Sequence, residues 1–403
     1  MRGFSRRSTV ADALAWLDGV ARTLESESVP LAAAARRILA SDVVAALDVP
    51  GFARAMMDGF AVRAADTLGA STYNPLTLSI HGEALPGTGF GGYVGGGQAV
   101  RIMTGAPLPD GADAVLPFEK VEVEDDGHHL VALDEVSPSR HVGPRGEDIQ
   151  TGSTVLLRGR CLRPQDLGVL SSIAVQQVSV VRRPAVRIVV TGNELLPAGS
   201  RPSGSRIADA NGPMLGSLAA RDGAVVRNPG IVADRPDQIL AALRVPADVV
   251  LVSGGSSVGR DDHAPMLLAE HGDLAIHGIA MRPSSPAGMG TVDDHLVFLL
   301  PGNPVSCLCA YEFFAGRAIR VLGGRHCDWP YRDVTLPLRR KLVSAVGRVD
   351  YARVQLHEQR VEPLAISGAS LLSSTTRADG FVIIPGDSEG YPAGAQVKVY
   401  LYD

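Results

Sequence analysis

Residues 248–252 read Asp-Val-Val-Leu-Val and break at once into Ser253-Gly254-Gly255-Ser256-Ser257-Val258-Gly259-Arg260-Asp261-Asp262. A helical pattern follows over residues 264–270. A β-branched, wholly apolar run has no polar face, so it predicts a strand buried on both sides, as in a parallel sheet covered by helices. The strand–loop–helix order presents backbone N–H groups where α/β sheets take phosphates and other oxyanions. Gly254 and Gly255 allow close approach, Ser256 and Ser257 can donate hydroxyls, and Asp262 could hold a hard cation beside the anion. The loop is neither a P-loop nor a dinucleotide fingerprint, because it lacks the G-K-[ST] end and the G-x-G-x-x-G spacing. A tight structural turn is the alternative use of the same residues.

The pattern around this unit repeats. Strands are predicted at residues 186–190, 224–226, 249–252 and 296–300, with helices at 214–221, 236–243, 264–271 and 305–322. Such alternation argues a Rossmann-like parallel sheet, with binding at the carboxyl ends of its strands. Three unusual loops fall at those ends: Thr191-Gly-Asn-Glu194-Leu195, the run 253–262, and Pro301-Gly302-Asn303-Pro304-Val-Ser306. In the last, Asn303 can cap the helix and Pro304 suits its first position, which leaves Pro301 and Gly302 to shape a pocket.

Other patterning flanks this domain. Val10, Leu14, Leu17, Ala21 and Leu24 fall at helical spacing behind a Ser8/Thr9 cap, and residues 31–38 and 41–47 read as a short helix and a strand. Arg6-Arg7 invites an export-signal reading, but Asp12, Asp18 and Glu25 interrupt its apolar core, so an amphipathic helix of a cytoplasmic protein is expected. Short strands with turn signals run through residues 74–133, including 76–80, 99–103, 114–116 and a hairpin at 121–131. This β-rich module looks inserted, because helical and turn patterning resumes at 145–149 and 164–173. Strands at 333–338, 349–356, 381–384 and 397–401 predict a small β-barrel-like C-terminal domain, with Arg339, Arg340 and Lys341 as a solvated strand end. The expectation is therefore a multidomain α/β and β chain. Its parts are a helical linker region (1–48 with 140–182), a β-rich insert (49–139), the α/β domain (183–327) and a C-terminal β domain (328–403).

Length and charge agree with this division. A chain of 403 residues is long for one core. A net charge of −5 offers no general basic face for nucleic acid, so an anion site must be local. No apolar run approaches the roughly 18 residues of a membrane span. Cys161, Cys307, Cys309 and Cys327 fit neither a paired framework nor zinc spacing and are read as core thiols. The ten histidines show no ligand spacing, and His263 and His277, near the rim in sequence, are expected to be satisfied surface or core groups.

Several segments, in order, resemble one family. They are Met56-Met57-Asp58-Gly59-Phe60-Ala61, Arg101-Ile-Met-Thr104-Gly-Ala-Pro-Leu-Pro109, and Gly111-Ala-Asp113-Ala-Val115 with Glu119. Arg145-Gly-Glu-Asp148-Ile149, the three rim loops, and residues 367–374 with Ala378-Asp-Gly380 continue the series. Together they resemble the MoeA-type molybdopterin molybdenumtransferases, the family that includes the C-terminal part of gephyrin. The resemblance implies an elongated four-domain homodimer whose cleft lies between a molybdopterin-binding α/β domain and the partner subunit's N-terminal region. It implies insertion of molybdate into adenylylated molybdopterin with Mg2+-assisted release of AMP, giving the molybdenum cofactor. A molybdopterin adenylyltransferase is a candidate protein partner.

That substrate carries several negative charges, and the residues can be assigned accordingly. Asp58, Thr104, Asp148, Glu194 and Asp262 are the expected catalytic set, with Asp58, Glu194 and Asp262 as metal ligands. Ser253, Gly254, Gly255, Ser256, Ser257, Gly259, Arg282, Ser285, Pro301, Gly302, Asn303 and Pro304 are expected to bind substrate. Plainer roles compete: Asp58 shaping a turn before Gly59, Glu194 and Asp148 capping helices or pairing with Arg145, and Thr104 capping its own turn. One departure stands out. Where the family usually shows Lys-Pro-Gly-Lys-Pro, this chain has Arg282-Pro283-Ser284-Ser285-Pro286, so the first cation is kept and the second is lost. Arg260 or a partner subunit could compensate. A gephyrin-like dimeric scaffold with reduced or lost catalysis is the alternative function, and a generic nucleotide or sugar-phosphate enzyme a second.

Overall fold

Alternate residues of single strands belong to two different cores. Val249 and Leu251 pack with Val186, Ile188, Leu215, Ala219 and Phe298, while Val250 and Val252 pack with Val189, Ile239, Leu243, Leu267 and Leu299. Successive side chains of a strand point to opposite faces, so an unbroken apolar run is what a sheet covered on both sides requires. The computed structural model describes residues 7–255, 263–365 and 368–402. The chain divides into two compact units, one formed by residues up to 28, 36–40 and 179 onward, the other by 29–35 and 41–178.

The first unit holds the expected α/β sheet. Its order is Val225–Arg227, Ala185–Thr191, Val249–Ser253, His295–Leu300, Gly288–Val292, Asp273–His277, with Ile231–Val232 also pairing with Ala185–Thr191. The strands through His295–Leu300 run parallel, and the last two are antiparallel additions. The helices Asn211–Arg221, Pro236–Leu243 and His263–His271 stand where helical spacing predicts them. The expected helix at 305–322 is continuous but underwound in the middle: Pro304–Ala310 and Gly316–Leu322 flank a π-helical stretch, Tyr311–Ala315. The antiparallel additions escape a sequence reading because glycines build them. A Cβ on Gly290 would lie 1.9 Å from the Asp273 carbonyl oxygen, so residues that signal a turn here permit close strand approach.

The amphipathic helix Val10–Val20 forms as expected, with Thr9 and Asp12 in a reciprocal capping box. It ends before Leu24, whose spacing had suggested a longer helix. Residues 31–38 are not an α-helix: a 3-10 turn, Leu31–Ala33, is followed by Arg36 at a φ of +61°, a left-handed conformation that no right-handed helix continues through. The strand expected over 41–47 shrinks to Val43–Val44.

The C-terminal β domain also belongs to the first unit. Its sheet runs Met281–Arg282, Val349–His357, Gly380–Ile384, Gln396–Leu401, Asp333–Pro337, with Arg360–Ala365 on Val349–His357. Its first member comes from the α/β region, with Met281 opposite Val349 and Arg282 opposite Asp350. Arg340 at the expected solvated end is tied to Glu362.

The second unit is built on a six-stranded sheet: Ala114–Pro117, Gly59–Val62, Gln98–Ile102, Ser71–Ala84, His129–Asp134, Val121–Val123. The hairpin read at 121–131 is present as its last two strands. Ser71–Ala84 is much longer than the apolar run at 76–80 suggests, because its polar ends are carried by ladder bonds rather than by burial. Helix Pro164–Ser172 closes this unit's sequence, with Asp166 gripped by Arg160 and Arg163. Among the described residues no helix is long and apolar enough to cross a membrane.

Candidate active site

The three loops at the carboxyl ends of Ala185–Thr191, Val249–Ser253 and His295–Leu300 do converge. The Gly254 N–H donates to the Leu300 carbonyl at 3.2 Å. Gly254 has a φ of +98°, and a Cβ there would stand 2.2 Å from the Thr191 carbonyl oxygen. Only glycine meets both conditions, so this residue lets the loops touch, and its N–H serves the fold rather than a ligand. Asn211 fastens the cluster from the next helix, its Nδ2 donating to Ser253 Oγ at 2.9 Å and to the Gly302 carbonyl at 2.8 Å. Ser253 is buried in this clasp, with its Oγ 3.9 Å from Cys307 Sγ. Ser256, Ser257, Gly259, Arg260 and Asp262 lie outside the described residues.

Asp209 and Asn211 were missed by sequence reasoning. Both are buried beside the rim, and the Gly212 N–H donates to Asp209 Oδ1 at 2.9 Å. Their signal was present as Asp209-Ala-Asn211-Gly-Pro213, an acid and an amide directly before a helix. The parallel pairing of Leu195–Leu196 with Ile207–Ala208 brings this segment to the loop that carries Glu194, whose side chain is exposed. Asn303 occupies the helix cap but makes no side-chain cap bond. Pro304 takes the first turn as expected, and Asn303 and Pro301 line the cavity next to it.

That cavity, about 770 Å³, lies between the α/β rim and the C-terminal sheet. Arg7, Arg282, Ser284, Ser285 and Arg348 contribute to its wall, and among the described residues no Asp or Glu lines it. Arg282 is not a free anion grip. Its Nε meets Asp350 Oδ1 at 3.0 Å and its Nη2 meets Oδ2, a forked pair. Asp350 is fully buried, accepts from Ser344 Oγ at 2.7 Å, and lies 3.5 Å from Arg348 Nε. A buried carboxylate needs such partners. One acid is thus shared by two arginines, and the wall keeps an excess of positive charge. Ser284 holds the loop to the helix through its hydroxyl, donated to the Ser306 carbonyl. Ser285 Oγ is buried without a hydrogen-bond partner among the described residues.

The second unit brings Asp58 and Thr104 together. Asp58 Oδ1 accepts both the Thr104 N–H and the Thr104 hydroxyl, each at 2.7 Å. These bonds favour the charged form and hold the exposed carboxyl below its usual range, the backbone bond contributing most. Arg145 pairs with neither Asp148 nor Glu194: its Nε is 2.6 Å from Asp48. Asp48 also accepts the Thr151 N–H and hydroxyl, and these bonds with Arg145 bring its carboxyl down to about 2. Asp148 is exposed on the following turn, its N–H donating to the Val49 carbonyl.

Cys307 and Cys309 are buried thiols as expected, whereas Cys161 is exposed and Cys327 half-buried, so the core reading fails for those two; burial pushes Cys307 up to about 12, so neither buried thiol is a nucleophile. Among the described residues, sets of three close metal-donor atoms occur at Glu124, Asp126 and His129 and at His326, Cys327 and Asp328, and none of these residues lines this cavity. The arrangement in the first unit can therefore hold an anionic ligand between the Pro301–Asn303 loop and the arginines of the cavity wall.

Known proteins resemble this chain over nearly its whole length. Models of the MoeA N-terminal region (domain I and II), of a "Probable molybdopterin binding domain" and of the MoeA C-terminal region (domain IV) match residues 8–174, 187–320 and 335–402. A molybdopterin molybdenumtransferase of Staphylococcus aureus strain COL is 31% identical over 386 residues, covering 93% of this chain and 90% of its own. One from Bacillus subtilis strain 168 is 32% identical over 396 residues, covering 94% and 90%. The crystal structure of a molybdopterin biosynthesis MoeA protein from Pyrococcus horikosii superposes with a TM-score of 0.86 at 32% identity, covering 98% of this chain and 99% of that one.

Proposed function

This chain belongs to the MoeA family of molybdenum cofactor biosynthesis enzymes, and from that premise we propose that its rim and arginine-walled cavity take adenylylated molybdopterin and molybdate and release AMP. It is a molybdopterin molybdenumtransferase. The observation that carries the substrate assignment is the cavity wall itself: among the described residues three arginines and no carboxylate line it, with the Pro301–Asn303 turn at its side. A phosphate-bridged nucleotide and an oxyanion are ligands such a wall favours, because excess charge in a partly desolvated site is stabilised by anions.

Each residue has a task in this reading. Asn211 keeps the loops of Ser253 and Gly302 in register, so that the pocket floor does not reorganise on binding. Pro301, Gly302, Asn303 and Pro304 shape the wall, with Gly255, Ser256, Ser257 and Gly259 completing the anion loop. Asp58, poised by Thr104, stays ionised below the usual carboxylate range and, with Asp148 of the same unit, can orient water or molybdate. The donor chemistry fits Mg2+, since Glu194 presents an exposed hard carboxylate of the kind that ion prefers. Glu194 and Asp262 would hold it, and it would neutralise charge on the substrate's phosphate oxygens.

A gephyrin-like scaffold without chemistry is not favoured. The full-length relatives are named as transferases, and Asp58, held by two bonds to Thr104, keeps a geometry that a scaffold would not need. The chain works in this reading as a cytoplasmic homodimer, fed by an adenylyltransferase, with parts dividing near residues 48, 139, 182 and 327. The test is AMP release from adenylylated molybdopterin by the purified protein. Release that requires both molybdate and Mg2+ supports the transferase. Bound nucleotide with no release moves the assignment to a scaffold.

A further inference from the structure

We propose that Arg7 is the second cation of the oxyanion cavity, doing from the N-terminal segment what Ser285 cannot do from the loop. The inference rests on the proposed function and names a binding residue for it. Arg7 and Ser285 both line the cavity. They are tied to the same short segment: Ser8 donates its N–H to the Gly278 carbonyl at 3.0 Å and accepts from the Ala280 N–H at 2.8 Å, while Ile279 donates to the Ser285 carbonyl at 2.9 Å. Residue 8 is therefore stitched to residue 279, one bond away from Ser285. Directly after it, the Thr9–Asp12 capping box and the buried Ala13 and Leu17 fix the helix against the core. The backbone that carries Arg7 is thus anchored at the cavity wall rather than trailing.

The charges point the same way. Arg282 is forked onto Asp350, and Arg348 shares that carboxylate. Arg7 has no ion-pair partner among the described residues, so its guanidinium is the wall's uncommitted charge. Ser285 offers a hydroxyl that is buried and unpartnered among the described residues, a group whose natural complement is an oxyanion arriving from the cavity. A guanidinium brought in from residue 7 supplies the charge that a hydroxyl lacks, and it can bond a phosphate or molybdate through two N–H groups.

The test is binding and turnover of adenylylated molybdopterin by the wild type, Arg7→Ala, Arg7→Lys and the double variant Arg7→Ala with Ser285→Lys. Loss of one charged hydrogen bond should weaken binding about ten- to a hundredfold in Arg7→Ala. KM should rise with kcat much less affected, and the salt dependence of binding should flatten. Arg7→Lys should keep most of the affinity, and Ser285→Lys should restore it in the alanine background. Wild-type affinity and salt dependence in Arg7→Ala would overturn the proposal, as would a failure of Ser285→Lys to rescue. Inorganic pyrophosphate serves as a second probe. If the wild type ignores the pterin nucleotide yet binds pyrophosphate through Arg7, the proposed function falls and the cation assignment stands; if it binds neither, both fall.

Discussion

Replacing Gly254 by alanine should damage the rim through two separable costs. The added Cβ would lie 2.2 Å from the Thr191 carbonyl oxygen, whereas carbon–oxygen contacts settle near ~3.3 Å, so the two loops must part by about 1 Å. Overpacking of that kind costs about 1–3 kcal/mol. The φ of +98° adds about 1–2 kcal/mol for any residue with a Cβ. Together the loss is about 2–5 kcal/mol, or about 5–15 °C in the melting of a unit this size. Gly199 is the control, because its φ is +78° but a Cβ there meets nothing within 4 Å, so its alanine variant carries the backbone cost alone. Differential scanning calorimetry of the two variants separates clash from strain, and nucleotide binding reports whether the parted loops still form the pocket. If Gly254→Ala melts with Gly199→Ala and binds like the wild type, the account of the rim as a set of touching loops is wrong.

Three further outcomes are expected. Thr104→Val removes the hydroxyl bond that helps depress Asp58, so the acid limb of the pH–rate profile should move to higher pH, and Thr104→Ser should hold it in place. Asp350→Ala leaves Arg282 without its buried partner and should cost about 3–5 kcal/mol in denaturant titration; an unchanged midpoint would mean that the pair contributes nothing. Asp48 has a carboxyl at about 2 against an ordinary 3.8. Its stabilising effect is therefore present above pH 3.8 and is lost as pH falls through about 2, so Asp48→Asn should flatten the acid stability curve over that window.

Local periodicity made much of the fold legible. Val249 to Val252 could only be a strand covered on both faces, and Thr9 with Asp12 could announce a helix, because both signals lie within a few residues along the chain. The placement of the three rim loops followed from the same logic, since strand–helix alternation puts every such loop at one edge of a parallel sheet. Where glycine had two uses, as at Gly288 and Gly290, the sequence was ambiguous, and only the approach of the Ile276 and Asp273 carbonyls decided for a strand. The chemistry of the site depended on contacts that local pattern does not encode. Asp58 meets Thr104 across 46 residues, Asn211 reaches Gly302 across 91, and Arg282 meets Asp350 across 68 because sheet register sets Met281 beside Val349. A sequence names the charges a chain carries, but which of them remain available to a ligand is fixed by what folding brings within a few ångströms. Arg282 is therefore occupied, and Arg7 is left to face the cavity.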